Sequence, residues 1–209
     1  LKKDGSDHIF ISAPENVAWL LNIRGKDNPF SPIPNCRVIL NNKGKVIFFS
    51  DIKKSSNIQK EKGFLGTSFF KENQIKSFLS KLNAKKIIID KNSCPVFFEN
   101  LISSKFKISK IGDPIYFMKS IKNKVEISKT IESHVHDGVA VTKFLYWIKK
   151  NQNKKISEID AEKKLETFRK RNKNYLFPSF STISATGKNG SIIHYRASNK
   201  TCKEIKRND

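Results

Sequence analysis

The chain has 209 residues, 37% of them hydrophobic and 16 of them Phe, so it can bury a sizeable core in one large domain or two smaller ones. Mean hydropathy is −0.50, and no apolar run approaches the roughly 18 residues that a membrane span needs. The net charge is +22, but 35 of the 41 basic residues are Lys and only 6 are Arg, spread along the whole chain; this reads as a solvated, solubilising surface and argues against nucleic acid as a partner, because dedicated readers favour Arg for its bidentate contacts.

In chain order, Ile9–Ser12 is a short strand, and Pro14 opens a helix with Val17, Leu20 and Leu21 at helical spacing. Residues 22–35 hold Gly and three prolines and form a loop. CRVILNN and VIFFSD, joined by KGK, alternate around a glycine turn and predict a β-hairpin. Phe70, Ile75, Phe78 and Leu82 share one face, which predicts a helix over Ser68–Leu82. Lys86–Asp90 is a buried strand and Pro95–Ser103 a short helix. The alternation suggests an α/β domain ending near Lys110.

After Gly112–Pro114 the pattern changes. Val125–Lys150 reads as one long helix, with Ile127, Ile131, His134, Gly138, Val141, Leu145 and Ile148 as its recurring face. SEID at Ser157 is a capping-box-like start for a second helix, with Ile159, Leu165 and Phe168 as core positions. Two strands are expected at the end, Phe180–Ala185 and Ser191–Tyr195, joined by TGKNG. The chain begins at Leu1 without a basic–apolar–small leader, and it reads as an internal piece of a longer protein.

By themselves the residues offer little chemistry. His134 and His136 sit two apart on a helix, so they point about 200° from each other and cannot hold one metal from one face. The expected arrangement is one packed and one exposed. Asp137 beside them forms no acid/base pair. Cys36, Cys94 and Cys202 show neither CxxC nor zinc spacing, and a sparse odd count suits a reducing, cytoplasmic compartment. No phosphate-binding glycine motif is present. His194, taken alone, is a strand-end histidine with a satisfied hydrogen bond.

Three ordered stretches change that reading. AWLLNIRGKDNPFSPIP, DPIYFMKSIKNKVEISKTIESHVHDGVAVTKFLYWI and FPSFSTISATGKNGSIIHYR together resemble the three-domain, cytosolic type of Xaa-Pro aminopeptidase (aminopeptidase P). The similarity covers nearly all of the chain, with 52–110 weakly diagnostic. It implies an α/β (α+β) fold: residues 1–115 as a second, creatinase-N-like non-catalytic domain lacking its N-terminus, and residues 116–209 as the first part of a pita-bread catalytic domain.

The resemblance also implies release of an N-terminal residue from peptides with proline in second position. The reaction uses two divalent metal ions, usually manganese, in an enzyme that is often a homodimer. Two metals lower the pKa of bound water and polarise the scissile carbonyl. In that family the IIHY histidine lines the active site and hydrogen-bonds the peptide near the scissile bond, a role that maps onto His194. Lys188 and Ser181 depart from the usual residues without touching that assignment. The family's metal ligands are two aspartates, a histidine and two glutamates. Their first aspartate is expected just beyond Asp209, and Asp137, Asp160 and Asp209 are not matches. The chain alone is therefore expected to be inactive and to expose core surface. Arg24 is a substrate-contact candidate, with structural pairing as its plainer role. The rival readings are a metal-free pita-bread binding module, chaperone-like or nucleic-acid-associated, and another pita-bread hydrolase such as prolidase or creatinase.

Overall fold

In the computed structural model, which describes residues 1–207 and Asp209, the chain divides into two units, Leu1–Ile121 and Lys122–Asp209. The first unit is built on a six-stranded mixed sheet. Its strands are β1 (His8–Ile11), β2 (Cys36–Asn41), β3 (Val46–Ser50), β4 (Ser68–Phe70), β5 (Lys86–Asp90) and β6 (Lys107–Ile111), in the order β4-β3-β2-β1-β5-β6. β2 and β3 form the expected antiparallel hairpin, with Val38 opposite Phe48, while β1–β5, β5–β6 and β3–β4 are parallel.

Both faces of the sheet are covered. Ile9, Ile11, Val38, Phe48 and Ile88 pack on one side with Val17, Ala18 and Ile115. Phe10, Ile39, Ile47, Phe49, Ile87 and Ile89 pack on the other with Ile75, Leu79, Phe98 and Ile102. Side chains alternate faces along a strand, so a strand covered on both sides reads as a continuous apolar run, as KIIID does.

The helices of this unit are α1 (Pro14–Leu20), α2 (Ile52–Ser55), α3 (Ile75–Lys81), α4 (Val96–Ser103) and α5 (Pro114–Ser120). The helix expected over Ser68–Leu82 is shorter than its pattern. Ser68–Phe70 instead pairs in parallel with β3, and Lys71–Gln74 turns the chain into α3. Phe70 still meets the helical face, with its ring 5.2 Å from Phe78 and 5.8 Å from Phe49. A strand followed by a helix can thus present the same apolar face as one longer helix. β6 and α5 carry no strong periodicity and were not expected.

A buried polar knot ties α1 to α5. Asn16 donates to Asp113 Oδ2 at 2.7 Å, and the amide of Asp113 donates to Asp90 Oδ1 at 3.0 Å. Asp113 also caps α5 by accepting from the Ile115 amide at 2.9 Å. Burial alone would raise the Asp90 pKa, but hydrogen bonds from Ser93 and the Asp113 amide hold it below the usual carboxylate value.

Gly25 explains the RG…PIP spacing. Its amide donates to the Pro32 carbonyl at 2.9 Å. A β-carbon there would lie 2.6 Å from the Pro34 β-carbon, so the two backbones pack too closely for any side chain.

The second unit contains α6 (Lys124–Lys150) and α7 (Glu158–Arg169). Ser157 caps α7 through the expected box, accepting from the Asp160 amide while Asp160 accepts from the Ser157 amide. The helices meet through an Asp137–Arg169 ion pair, with Arg169 Nε and Nη2 at 2.6 and 3.1 Å from the two carboxylate oxygens. Lys164 also sits over the rings of Trp147 and Phe168.

The burial pattern corrects the expected core positions of α7. On α6 only Ala140 is buried, and Ile127, Ile131 and Leu145 are exposed. Ile159, Leu165 and Phe168 on α7 are half-buried, whereas Glu158 and Ala161 are the fully buried positions. Periodicity marks which face is apolar, but burial needs a partner packed on that face.

The two expected terminal strands do not form. Phe180–Ala185 has no regular structure, and the turn before His194 is a 3₁₀ helix, Gly187–Ser191. A strand requires a ladder partner, and among the described residues of this unit none is a strand.

Candidate active-site segment

The segment that carries His194 is held from beneath by Glu158. Glu158 occupies the first helical position after the Ser157 cap, where a carboxylate is favoured by the helix dipole. Its side chain is 0% exposed. The Thr186 amide donates to Oε1 at 2.7 Å, and the Tyr195 hydroxyl donates to Oε2 at 2.7 Å. The Lys203 amide reaches Oε2 at 3.1 Å, and Asn189 Nδ2 lies 3.1 Å from both oxygens. Burial pushes the Glu158 pKa up, but these donors outweigh it and hold the group below the ordinary glutamate value. The Tyr195 pKa is raised, by burial and by the carboxylate that accepts its hydrogen bond.

The backbone adds two further ties. The Glu158 amide donates to the Lys203 carbonyl at 3.0 Å, and the Ile205 amide to the Ile156 carbonyl at 2.8 Å. Residues 203–205 therefore run along the start of α7 as a short antiparallel strip.

His194 follows from this frame. Tyr195 points inward and is 5% exposed, while His194 and the two isoleucines before it lie on the surface, Ile193 at 86% exposure. The His194 backbone has φ 55°, in the left-handed region that a β-carbon disfavours. His194 is therefore not a strand-end residue but the outward member of a tight turn.

The other singled-out residues lie elsewhere and do other things. His134 and His136 are both exposed, against the expectation that one is packed. Nδ1 of His134 lies 2.8 Å from the Thr130 carbonyl, and Nε2 of His136 lies 3.9 Å from Glu132. Without a second layer over this part of α6, neither ring has anything to pack into. Asp137 is paired to Arg169, and Asp160 caps its own helix.

Arg24 uses Nη1 to hold the carbonyls of Ile23 and Ala18 at the end of α1, at 2.8 and 3.3 Å. It also lines a cavity of about 490 Å³ in the first unit with Asp27, Pro34, Phe48 and Lys54. Cys36 is buried, and burial pushes its thiol up to about 12; the Cys94 thiol is pushed to about 11 by the same cause. Neither supplies a thiolate at neutral pH.

Among the described residues no three His, Cys, Asp or Glu side chains converge as a metal-ligand set. No described helix is long and apolar enough to cross a membrane.

Glu158 was missed in the sequence. An acidic residue in a first helical turn is ordinary, and nothing local marks this one as buried. Its partners are 28, 31, 37 and 45 positions away.

The chain thus carries a mixed-sheet α/β unit followed by a two-helix unit that presents a histidine on a clamped turn. The chain belongs to the creatinase/prolidase N-terminal domain family, whose model matches residues 1–126, and residues 129–209 match metallopeptidase family M24. It is similar to the Xaa-Pro aminopeptidase ApepP of Drosophila melanogaster, 34% identical over 98% of this chain and 34% of that protein. Xaa-Pro aminopeptidase 1 of Dictyostelium discoideum is 33% identical over 98% of this chain and 33% of its own length. The chain thus spans about a third of the length of the curated relatives it matches.

Among solved structures, X-prolyl aminopeptidase from Caenorhabditis elegans, described as a cytosolic enzyme with a di-nuclear active site, superposes with a TM-score of 0.86 at 23% identity. It covers 99% of this chain and 35% of that one. Prolidase from Pyrococcus furiosus gives 0.65 at 22% identity, covering 99% of this chain and 56% of its own. The expected architecture, a creatinase-N-like domain followed by the start of a pita-bread domain, is the one these structures share.

Proposed function

We propose that this chain is part of a metal-dependent aminopeptidase that releases the N-terminal residue from peptides with proline in second position. Its named relatives are Xaa-Pro aminopeptidases, and residues 129–209 match an M24 metallopeptidase. The observation that carries the reading is His194, held on the surface of the M24-matching unit by a turn whose neighbour is locked to a buried carboxylate.

In this reading His194 donates a hydrogen bond to the bound peptide near the scissile bond. It orients the carbonyl and stabilises the charge that develops as the carbonyl is attacked. Two divalent ions, manganese in the first instance, supply activated water and carbonyl polarisation when bound. Their ligands lie beyond Asp209, so the 209-residue chain by itself is expected to be inactive. The parent acts in the cytoplasm as a homodimer.

The test is an enzyme carrying this chain together with the ligand-bearing remainder of its catalytic domain, loaded with manganese. It should cleave a Xaa-Pro peptide and spare the same peptide with Ala in second position. His194→Ala should reduce kcat/KM by about 10²-fold or more with unchanged metal content. Full activity in that variant overturns the substrate role of His194, and equal cleavage of the two peptides overturns the proline specificity.

A further inference from the structure

We propose that Glu158 is the positioning residue for His194: its buried carboxylate fixes the turn that presents the imidazole. The inference rests on the substrate role given to His194 above.

Its four donors are all neutral: two backbone amides, one carboxamide and one phenol. Burying an ionised carboxylate without a cation is costly unless its lone pairs are filled, and here they are. An apolar residue of similar size would fill the space equally well, yet could not dictate where four separate points of the chain must lie. Those points, Thr186, Asn189, Tyr195 and Lys203, span the turn on both sides of His194.

The geometry then leaves His194 little choice. Tyr195 is pulled inward by Oε2, and its amide donates back to the Ile192 carbonyl at 3.2 Å. Ile192 in turn donates to the Asn189 carbonyl at 3.1 Å, and Asn189 is held by the same carboxylate. His194 is enclosed in this closed circuit and takes the left-handed φ of 55°. A non-glycine residue keeps such a conformation only where its neighbours over-determine it.

Glutamine is the informative replacement. It preserves shape but turns one acceptor oxygen into an NH₂ facing N–H and O–H donors. Glu158→Gln should therefore release the turn although it is isosteric. Tyr195→Phe removes one donor only and serves as the milder variant.

Two measurements test the proposal. In the 209-residue chain, NMR should show a strong intraresidue HN–Hα contact at His194, the mark of a positive φ, and protected amides at Thr186 and Lys203. Both should be lost in Glu158→Gln while α6 and α7 keep their helical shifts. In the manganese-loaded enzyme, Glu158→Gln and Tyr195→Phe should lower kcat by up to roughly 10²-fold, as expected for a misplaced catalytic contact. In a His194→Ala background they should have almost no further effect.

A loss of the same size in the His194→Ala background overturns positioning and leaves a merely structural role. Persistence of the positive-φ signature in Glu158→Gln overturns it as well. If instead His194→Ala cleaves normally while Glu158→Gln still loses the signature, the substrate reading of His194 falls and the placement of its backbone by Glu158 stands.

Discussion

Tyr195 and Glu158 are 37 positions apart in the chain, and the phenol of one donates to the carboxylate of the other at 2.7 Å, both side chains buried. This contact decides which of two neighbouring residues is buried. Tyr195 goes in, so His194 comes out.

Tyr195→Phe should lower the thermal midpoint of the second unit by roughly 6–20 °C, the effect of removing one donor from a buried charged acceptor. The unfolding of the first unit, followed separately by a probe in the sheet, should not move. An unchanged midpoint for the second unit would mean that the bond contributes nothing to its stability.

Acid should loosen the same turn. The Glu158 pKa lies below its ordinary value in the folded chain, so its contribution is present above the unfolded value, about pH 4–5, and is lost as pH falls through the folded one. Exchange protection at Thr186 and Lys203 should hold from neutral pH down to the ordinary glutamate value and collapse only as pH falls below it. In Glu158→Gln it should be absent throughout, without a transition.

Gly25→Ala should destabilise the first unit by about 1–3 kcal/mol, since the new β-carbon would meet Pro34 at 2.6 Å and one backbone must shift. Chemical denaturation with an unchanged slope is the measurement. A loss under about 0.5 kcal/mol would show that the loop yields freely.

Asp137→Asn removes a pair whose side chains are 49% and 30% exposed for Asp137 and Arg169. Solvent screens such a pair, so the loss should stay below about 1 kcal/mol and shrink further in salt. A larger loss would make the α6–α7 pairing depend on this ion pair.

Cys36 should resist iodoacetamide at pH 8 in the native chain and react only on unfolding, because burial pushes its thiol up to about 12. Mass spectrometry of the labelled peptides reads this directly.

Much of the first unit, and the start of α7 in the second, was legible because the signals are local. The KGK turn between alternating runs specified the β2–β3 hairpin, Pro14 started α1, and SEID capped α7. The three motif stretches carried the family resemblance for the same reason: each is a contiguous string.

The expectations that failed each depended on a distant partner. Phe180–Ala185 has the composition of a strand, but among the described residues of its unit no strand pairs with it. Ser68–Phe70 has the spacing of a helix, but the open edge of β3 takes it as β4. The apolar face of α6 was visible as a period, and its exposure was expected only through the family resemblance, because a period says nothing about what packs on it.

The sequence by itself determined most of the segments of the first unit, the Ser157 cap and the histidine to look at. Only the tertiary structure decided that a carboxylate at the first position of α7 is the most buried group beneath that histidine. A buried charge is stable only where donors converge on it, and these come from residues 28 to 45 positions away, which no local pattern can encode.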